Sequence, residues 1–480
     1  MLIEDLFRAP WHERMVSVIT DMVENVITDE EMLAQEVQEW LKSERRQNMI
    51  TGGLYYLNKT AILEKEQPLD WKANQQLSHG FAKKLVDQKI GYLLSKEPTF
   101  GTENEAYREI MIDTFDRGLL KKIKNVGKEA INKGIAYLHP YFNERGDLSF
   151  TKFPSEQILP FWGDNEHMEV TAFLRVYDQD IYMNRKKETQ TKVEYYHSGG
   201  VTYYVLEAGK LKLDVPAGAD QNYHFLINGE PYVWERIPLI HFKYNEEEQP
   251  LIDSIKSLVD NYNLQASTNA DLLADIPKFI YKIVNYGGAD LAEFISDLQK
   301  YRAVKTDTGG DVDKLQADIE TEAVEKELAR TRRAIYEFGR GVDTKDEDLG
   351  NASGKAMEHR YADLDLDCNV LETEMQSSIE HMLWFINHHL LMTGQGDFTE
   401  ETVNIIFNRD IIINETEAIE NCSKSVGILD DRTIRENHPW YTEEVEERLE
   451  NQEAEIQKEI EREYEKAFPP KDPEEVKADE

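Results

Sequence analysis

Residues 357–390 read "MEHRYADLDLDCNVLETEMQSSIEHMLWFINHHL" and form the longest periodic run in the chain. Apolar residues recur at spacings of three and four, which predicts one continuous helix face. A helix of about 40 residues would be about 60 Å long at 1.5 Å per residue, and Gly394 stands where a C-terminal cap is expected. We expect so long a helix to span between domains or subunits. The apolar stripe comprises Met357, Tyr361, Leu364, Cys368, Leu371, Met375, Ile379, Met382, Ile386 and Leu390.

The stretch just before this helix, "DLGNASGKAM" at 348–357, resembles a damaged phosphate-binding loop. Gly354 and Lys355 fit the G-x-x-x-x-G-K-[ST] pattern, whose glycines and lysine hold phosphates and whose hydroxyl holds Mg²⁺. Leu349 replaces the first glycine and Ala356 replaces the hydroxyl residue. We therefore expect no nucleotide site here and no intrinsic ATPase activity.

Two further patterns resemble metal sites. An EF-hand loop starting at Asp363 would need Gly at its sixth position, and Cys368 stands there. His381 and His388 would share a helix face but stand about 10 Å apart, too far for one metal ion. No other catalytic motif is present, so we predict no metal, no cofactor and no enzyme. The residues concerned are Asp363, Asp365, Asp367, Asn369 and Glu374 for the loop, and His381, His388 and His389 for the histidines.

The composition limits the kind of protein. The 480 residues suffice for two to four domains, and the net charge of −38 repels phosphate backbones. Cys368 and Cys422 form no disulfide framework. Charged residues interrupt the start of the chain, so no secretory signal is expected there, and no apolar run approaches the length of a membrane span. These features favour a soluble, intracellular protein that does not grip DNA through basic groups.

Secondary structure is predicted to change along the chain. The first 150 residues read mainly as helix, with Leu77, Phe81, Leu85, Ile90 and Leu93 on one face of a helix near 77–93. Residues 150–245 are rich in β-branched and aromatic residues, which indicates an antiparallel sheet, and Gly199-Gly200 signals a hairpin.

Later segments alternate between helix and strand. A stripe from Ile252 to Leu273 predicts a helix that Pro277 ends, followed by a compact insert of strand, helix and strand. Another helix is expected at 318–338, with Val324, Leu328, Ile335 and Phe338 on one side, and a strand at 401–413. The charged tail from 414 is helical, either as a helix bundle or as coiled coil, and its last residues are expected to be disordered.

The order of these parts, together with four stretches, resembles the portal proteins of bacteriophages, in the branch with long non-contractile tails. The resemblance covers residues 50–460 and is strongest in the last two stretches. The four are "KKLVDQKIGYLLSKEP" at 83–98, "IPLIHFKYNEEEQPLIDSIKSLVDNYN" at 237–263, "GNASGKAMEHRYADLDL" at 350–366 and "LDDRTIRENHPWYTEEVEERLENQEAE" at 429–455.

The resemblance implies an α+β, mainly helical fold of portal type, in which about twelve copies form a dodecameric ring around a channel. The parts it implies are a wing at 1–250, with helical entry and then antiparallel sheet, a first stem helix at 251–276, a clip at 277–317, a second stem helix at 318–339, a tunnel loop at 340–354, a long wing helix and strand at 355–413, a crown at 414–468 and a disordered acidic tail at 469–480.

The tunnel loop is the first site that the resemblance implies. It would surround DNA at the narrowest part of the channel, and its glycines, Gly339, Gly341, Gly350 and Gly354, would give backbone freedom. Its charge is nearly balanced, which suits a conduit, although an ordinary surface linker would have the same composition. The implied lining residues are Arg340, Gly341, Val342, Asp343, Lys345, Asp346, Glu347, Asp348, Gly350, Asn351 and Ser353.

The clip is the second implied site. Residues 277–317 hold six acidic and six basic residues, which suits protein contacts in an otherwise acidic chain. The implied partners are other copies of the chain, the terminase large subunit, connector or adaptor proteins, scaffolding and major capsid proteins, and double-stranded DNA that passes without sequence-specific binding; no membrane is involved. The implied location is the capsid portal vertex of the virion, and the host cytoplasm during assembly. The implied docking residues are Asp290, Glu293, Lys300, Arg302 and Lys305.

Two other functions remain open from the residues alone. One is an acidic intracellular scaffold or adaptor protein without a DNA channel. The other is a nucleotide-dependent or metal-dependent enzyme. A closed ring with an axial hole would distinguish the portal function from both.

Overall fold

The chain folds as a mixture of helices and antiparallel sheets and divides into two compact units. The first comprises Met1–Thr344 and Tyr361–Asp410, and the second comprises Lys345–Arg360 and Ile411–Glu480. The computed structural model describes residues 30–275 apart from 68–71, 144, 184 and 228, then 280–284, 292, 296, 308–315, 321–344, 354–409, 415–442 and scattered positions between 445 and 460.

The first described segment is helical, as predicted, because polar caps precede apolar stripes. The side chains of Ser43, Asn104 and Asp116 each accept a hydrogen bond from a backbone N–H in the first turn of the helix that follows. Leu77 lies outside the helix that was expected to contain it and is exposed. The helices are α1 Glu30–Lys42, α2 Glu44–Tyr56, α3 Phe81–Leu93, α4 Glu105–Thr114 and α5 Arg117–Lys133, with a short 3-10 turn at Ala61–Glu64.

The run of consecutive strands begins at residue 135, earlier than the predicted boundary near 150, and one short strand, Thr99–Gly101, lies within the helical part before it. In the strand Ile135–Phe142, Ile135 and Tyr137 join one hydrophobic core while Ala136 and Leu138 join another. A strand buried on both faces lacks the polar–apolar alternation that reveals a strand in sequence.

The predicted antiparallel sheet is confirmed, including the Gly199-Gly200 hairpin, where His197 pairs with Gly200. The strands are β1 Thr99–Gly101, β2 Ile135–Phe142, β3 Leu148–Phe153, β4 Ile158–Trp162, β5 Val170–Met183, β6 Lys186–His197, β7 Gly200–Glu207, β8 Lys210–Leu213, β9 Asp220–Gln221, β10 Phe225–Ile227, β11 Glu230–Tyr232 and β12 Ile240–Lys243. The main sheet has the strand order β4-β5-β6-β7-β8, and a second sheet has the order β12-β2-β3.

Two helices flank the insert, close to their predicted bounds. Ile255 and Val259 on the first and Ile335 on the second are buried. Phe338 and Leu273, which were expected on buried faces, are 59% and 48% exposed. The elements are α6 Leu251–Asp275, β13 Ile280–Val284, β14 Asp311–Leu315 and α7 Thr321–Phe338.

The long helix, α8 Gly354–Met392, is confirmed, and its cap is at Gly394, whose φ is +71°. Its stripe from Leu364 to Leu390 is buried inside the first unit's own cores. Residues 354–360 of α8 belong to the second unit and the rest of the helix belongs to the first, so the expected span between domains is confirmed. The strand expected at 401–413 is shorter: β15 Asn404–Ile406 pairs with β1.

The second unit contains α9 Glu415–Ser425 and α10 Asp431–Glu436. The side chain of Asp430 accepts a hydrogen bond from the N–H of Thr433 and caps α10. This cap lies in the 429–455 stretch that was quoted above.

Candidate functional site at the root of the 340–354 loop

Helix α7 ends in a Schellman-type turn that opens the loop. The N–H of Arg340 donates to the carbonyl of Glu337 at 3.1 Å, and the N–H of Gly341 donates to the carbonyl of Tyr336 at 2.9 Å. Arg340 adopts the left-handed conformation, with φ +47°. Glycine usually occupies this position of the turn. In the sequence Gly339-Arg340-Gly341, however, the left-handed residue is Arg340, and the two glycines flank it.

The two glycines serve close packing. A Cβ on Gly339 would lie 2.6 Å from Cδ1 of Leu85, and one on Gly341 would lie 2.2 Å from Cδ2 of Leu85. Leu85 on α3 is fully buried and has no room to move. Gly341 was expected to supply backbone freedom; the structure adds that a side chain here is excluded because the loop root presses against α3.

Val342 points into the chain's own interior. Its N–H donates to Oε1 of Gln88 at 2.9 Å, and Nε2 of Gln88 donates to its carbonyl at 3.1 Å. The side chain is buried in a small core with Tyr92, Leu364 and Cys368. Burial also raises the pKa of Cys368 to about 12. Val342 was expected to line a channel, but its side chain is occupied within the subunit.

Asp343 is paired inside the subunit as well. Arg332 donates to both of its carboxylate oxygens, at 2.5 and 2.7 Å, which is the bidentate geometry of a strong ion pair. This hydrogen bonding raises the pKa of Arg332. Lys84 lies 4.0 Å from Asp343 and donates to the hydroxyl of Thr344 at 3.3 Å. The root is thus anchored as far as residue 344.

A buried ion pair lies beneath the turn. Nζ of Lys89, whose side chain is fully buried, donates to Oδ2 of Asp367 at 2.6 Å and to the carbonyl of Arg340 at 3.0 Å. The hydroxyl of Tyr244 donates to the same carboxylate oxygen at 2.7 Å. Burial lowers the pKa of Lys89, and the charge of Asp367 opposes this change. Burial and the charge of Asp367 raise the pKa of Tyr244.

The anchor is one face of α3. Lys84, Leu85, Gln88 and Lys89 recur at i, i+1, i+4 and i+5, so they project on the same side of the helix. None of them was singled out as a site residue, although they lie in the 83–98 stretch. A signal was present: Lys89 stands four residues after Leu85 on an apolar stripe, where a charge needs a buried partner.

The remaining predicted site residues lie outside the described part of the chain. For the loop these are Lys345, Asp346, Glu347, Asp348, Gly350, Asn351 and Ser353; for the insert they are Asp290, Glu293, Lys300, Arg302 and Lys305.

The alternative metal sites have structural explanations. Asp365 pairs with Arg409, and Asp367 pairs with Lys89. The ring of His388 stacks on Trp384 at 5.2 Å. Within the described residues, no group of three or more His, Cys, Asp or Glu side chains could hold a metal ion. None of the described helices combines the length and apolarity that crossing a membrane requires.

Comparison with known proteins agrees with the quoted stretches. The family model for phage portal proteins of the SPP1 Gp6-like type matches residues 41–463. The chain belongs to this portal protein family. It is 31% identical to the portal protein of Bacillus phage SPP1 over 445 residues, covering 88% of this chain and 87% of that protein. It is 30% identical to the portal protein of Clostridium phage phiCD119 over 420 residues, covering 82% and 90%.

Portal family membership gives the coarse function. The chain is a structural phage protein with a portal function, and the family implies an oligomeric ring at the capsid portal vertex. Among solved structures, a chain in the neck of a native GTA particle has 10% identity and a TM-score of 0.41, covering 74% of this chain and 88% of that one.

Proposed function

We propose that about twelve copies of this chain form a closed ring through which double-stranded DNA enters and leaves the capsid. Membership of the portal family supports the ring. The net charge of −38 supports a conduit. An acidic surface repels the phosphates of DNA, so the duplex can pass without being bound at any particular sequence. The protein assembles in the host cytoplasm, contacts scaffolding and major capsid proteins, and remains at the portal vertex of the virion.

The part of the loop that meets DNA is residues 345–353. The observation that supports this narrower range is the anchored root, because Val342 and Asp343 are held by Gln88 and Arg332 of the same chain. Side chains already occupied within the subunit cannot also contact a passing duplex. The segment between Thr344 and the start of α8 at Gly354 then carries the channel-facing positions, with Arg340 at its base.

The insert between α6 and α7 serves as the docking surface for the terminase large subunit and for connector proteins. Its base is an antiparallel pair in which Ile280 faces Leu315 and Val284 faces Asp311. A paired base lets the residues between the strands change without unfolding the stem helices. We expect Lys300→Glu with Arg302→Glu to leave rings intact and to weaken binding of terminase or connector. Unchanged binding of both partners would place the docking surface elsewhere.

Electron microscopy and native mass spectrometry of the purified protein test the ring. The expected result is a closed particle of about twelve copies with an axial hole, as cyclic assembly requires. Monomers and dimers at every concentration would contradict the proposal. Particles without a hole would favour an acidic scaffold or adaptor instead.

A further inference from the structure

Helix α5 carries a row of basic side chains on its outer face. Arg117, Lys121, Lys124 and Lys128 recur at spacings of four, three and four, which places them along one side of the helix over about 16 Å. The opposite side is apolar and packs in the core. In a chain with a net charge of −38, this row is a local exception.

Most of this row has no acidic partner among the residues that the structure describes. Lys128 pairs with Asp87 at 2.6 Å. Arg117, Lys121 and Lys124 form no ion pair with any residue that the structure describes, and the first two are exposed. Within the described part of the chain, three positive charges at helical spacing thus remain without an acidic partner and can meet a negatively charged surface.

The preceding helix, α4, carries the matching acidic row. Glu105, Glu109 and Asp113 recur every four residues, so they lie along one exposed side over about 12 Å. Arg108 is 4.0 Å from Glu105, and Ile112 beside the row is 62% exposed. Across the described residues, no ion pair joins α4 to α5, although only Phe115 and Asp116 separate the two helices.

We propose that the basic row of α5 on one copy contacts the acidic row of α4 on the next copy in the ring. A head-to-tail ring needs two different, complementary patches on each subunit, and these two rows meet that requirement. Copies that each carry −38 repel one another, so a contact of opposite charges lets them approach in one orientation. The lysine stems of α5 can cover the exposed Ile112 of the neighbour.

This contact rests on the proposed ring and identifies one of its interfaces. Duplex DNA could also meet the basic row, but it would leave the acidic row and Ile112 unexplained. A neighbouring copy accounts for both rows, which have similar length and lie on the same chain.

Charge reversal with mixing tests the contact. The reversed-α5 variant is Lys121→Glu with Lys124→Glu, and the reversed-α4 variant is Glu109→Lys with Asp113→Lys. In each variant alone, side chains of the same charge would face each other across the contact. The fraction of the protein that is in rings should then fall by more than about tenfold. Mixed in equal amounts, the two should form rings in which they alternate. A chain that carries all four changes should again form rings alone.

Controls separate this contact from general charge effects. Lys187→Glu with Lys212→Glu changes the net charge by the same amount on the exposed surface of the sheet and should leave ring formation unchanged. Circular dichroism checks that each variant is folded. Native mass spectrometry reads both the ring size and the ratio of the two variants in mixed rings.

Three results would overturn the contact. Normal rings from the reversed-α5 variant would show that the basic row lies outside the interface. Normal rings with lost, salt-dependent binding of duplex DNA would assign the row to DNA. Failure of both the mixture and the four-change chain to assemble would show that the two rows do not face each other. Absence of rings from the unaltered protein would instead contradict the proposed function itself.

Discussion

The side-chain amide of Gln88 bonds both backbone polar groups of Val342: its oxygen accepts from the N–H at 2.9 Å, and its nitrogen donates to the carbonyl at 3.1 Å. An amide side chain can do both at once, whereas a carboxylate can only accept. This pair of hydrogen bonds joins α3 to the segment after α7, which are more than 250 residues apart. The start of the 340–354 loop is therefore fixed to the body of the subunit.

We predict that Gln88→Glu releases this clamp while the helix stays intact. The carboxylate cannot donate to the Val342 carbonyl and sets a negative charge against it. Losing the bond and leaving its partner unsatisfied costs about 1–3 kcal/mol. Hydrogen exchange of a peptide covering 339–344 should therefore accelerate by about tenfold or more. Unchanged exchange in this peptide would show that the clamp does not hold the root.

The glycines of the root should tolerate no side chain. Gly341→Ala places a methyl group 2.2 Å from Leu85 and should lower the free energy of unfolding by about 1–3 kcal/mol, the usual cost of overpacking. Gly91→Ala on α3 is the matched control, because its Cβ would meet nothing within 4 Å. That change should be neutral or stabilise by up to about 1 kcal/mol, since alanine favours helix. Equal effects of the two changes in denaturant titrations would contradict the packing explanation.

The buried Lys89–Asp367 pair should show strong coupling. Lys89→Met leaves a carboxylate that is largely buried without its main cation, which costs about 3–5 kcal/mol. Asp367→Asn removes that charge and keeps an acceptor for Tyr244. The double variant should therefore regain at least half of the loss in unfolding free energy. Additive effects in the double-mutant cycle would show that the two charges do not depend on each other.

Buried histidines should make the first unit sensitive to mild acid. Burial lowers the pKa of His139 and His224 to about 4 and that of His241 to about 3. The unfolded chain binds these protons near pH 6.5, so this stability is complete above pH 6.5 and is lost as the pH falls towards 4 and 3. Each of these histidines adds up to about 1.4 kcal/mol per pH unit to the fall in the free energy of unfolding.

The pH range of the loss identifies the group. His139→Gln should flatten the curve of unfolding free energy between pH 6.5 and 4. Burial alone would raise the pKa of Glu248, but Arg45 and the hydrogen bond from His167 hold it at about 2. Its contribution is present above about pH 4.5 and is lost towards pH 2, so Glu248→Gln should flatten only this lower range. A curve that His139→Gln leaves unchanged above pH 4.5 would contradict the assignment.

Long periodic elements could be predicted from the sequence. The stripe of α8 repeats at helical spacing over more than eight turns, and packing only reinforces what the spacing already favours. The hairpin at Gly199-Gly200 is a local turn signal and was equally predictable. The strand at Ile135–Phe142 was missed because both of its faces are buried, which removes the alternating pattern.

The loop root could not be predicted because its partners are distant in sequence. Val342 depends on Gln88, and the carbonyl of Arg340 depends on Lys89, in each case across about 250 residues. Composition suggested that Gly341 is flexible, yet a tertiary contact with Leu85 leaves no space for a side chain at this position. A local sequence pattern indicates the propensity for helix, strand or turn. The close approach of two segments that are distant in sequence is visible only in the folded structure.

The central claim is that residues 345–353 line a channel through which DNA passes. Asp346→Lys with Asp348→Lys should bind phosphates and slow transport, since each neutralised phosphate adds affinity. Gly350→Val should restrict the backbone of the same segment. Gly354→Val is less informative because Gly354 opens α8. As a matched control, Asp180→Lys with Glu207→Lys makes the same change in charge at exposed positions of the sheet.

The most direct measurement is the amount of DNase-protected DNA per capsid, for capsids whose variant rings have been verified by electron microscopy. We predict less protected DNA for the Asp346→Lys, Asp348→Lys variant and for Gly350→Val, and a normal amount for the control. Normal packaging by both loop variants would contradict the account and would make the segment an ordinary surface linker.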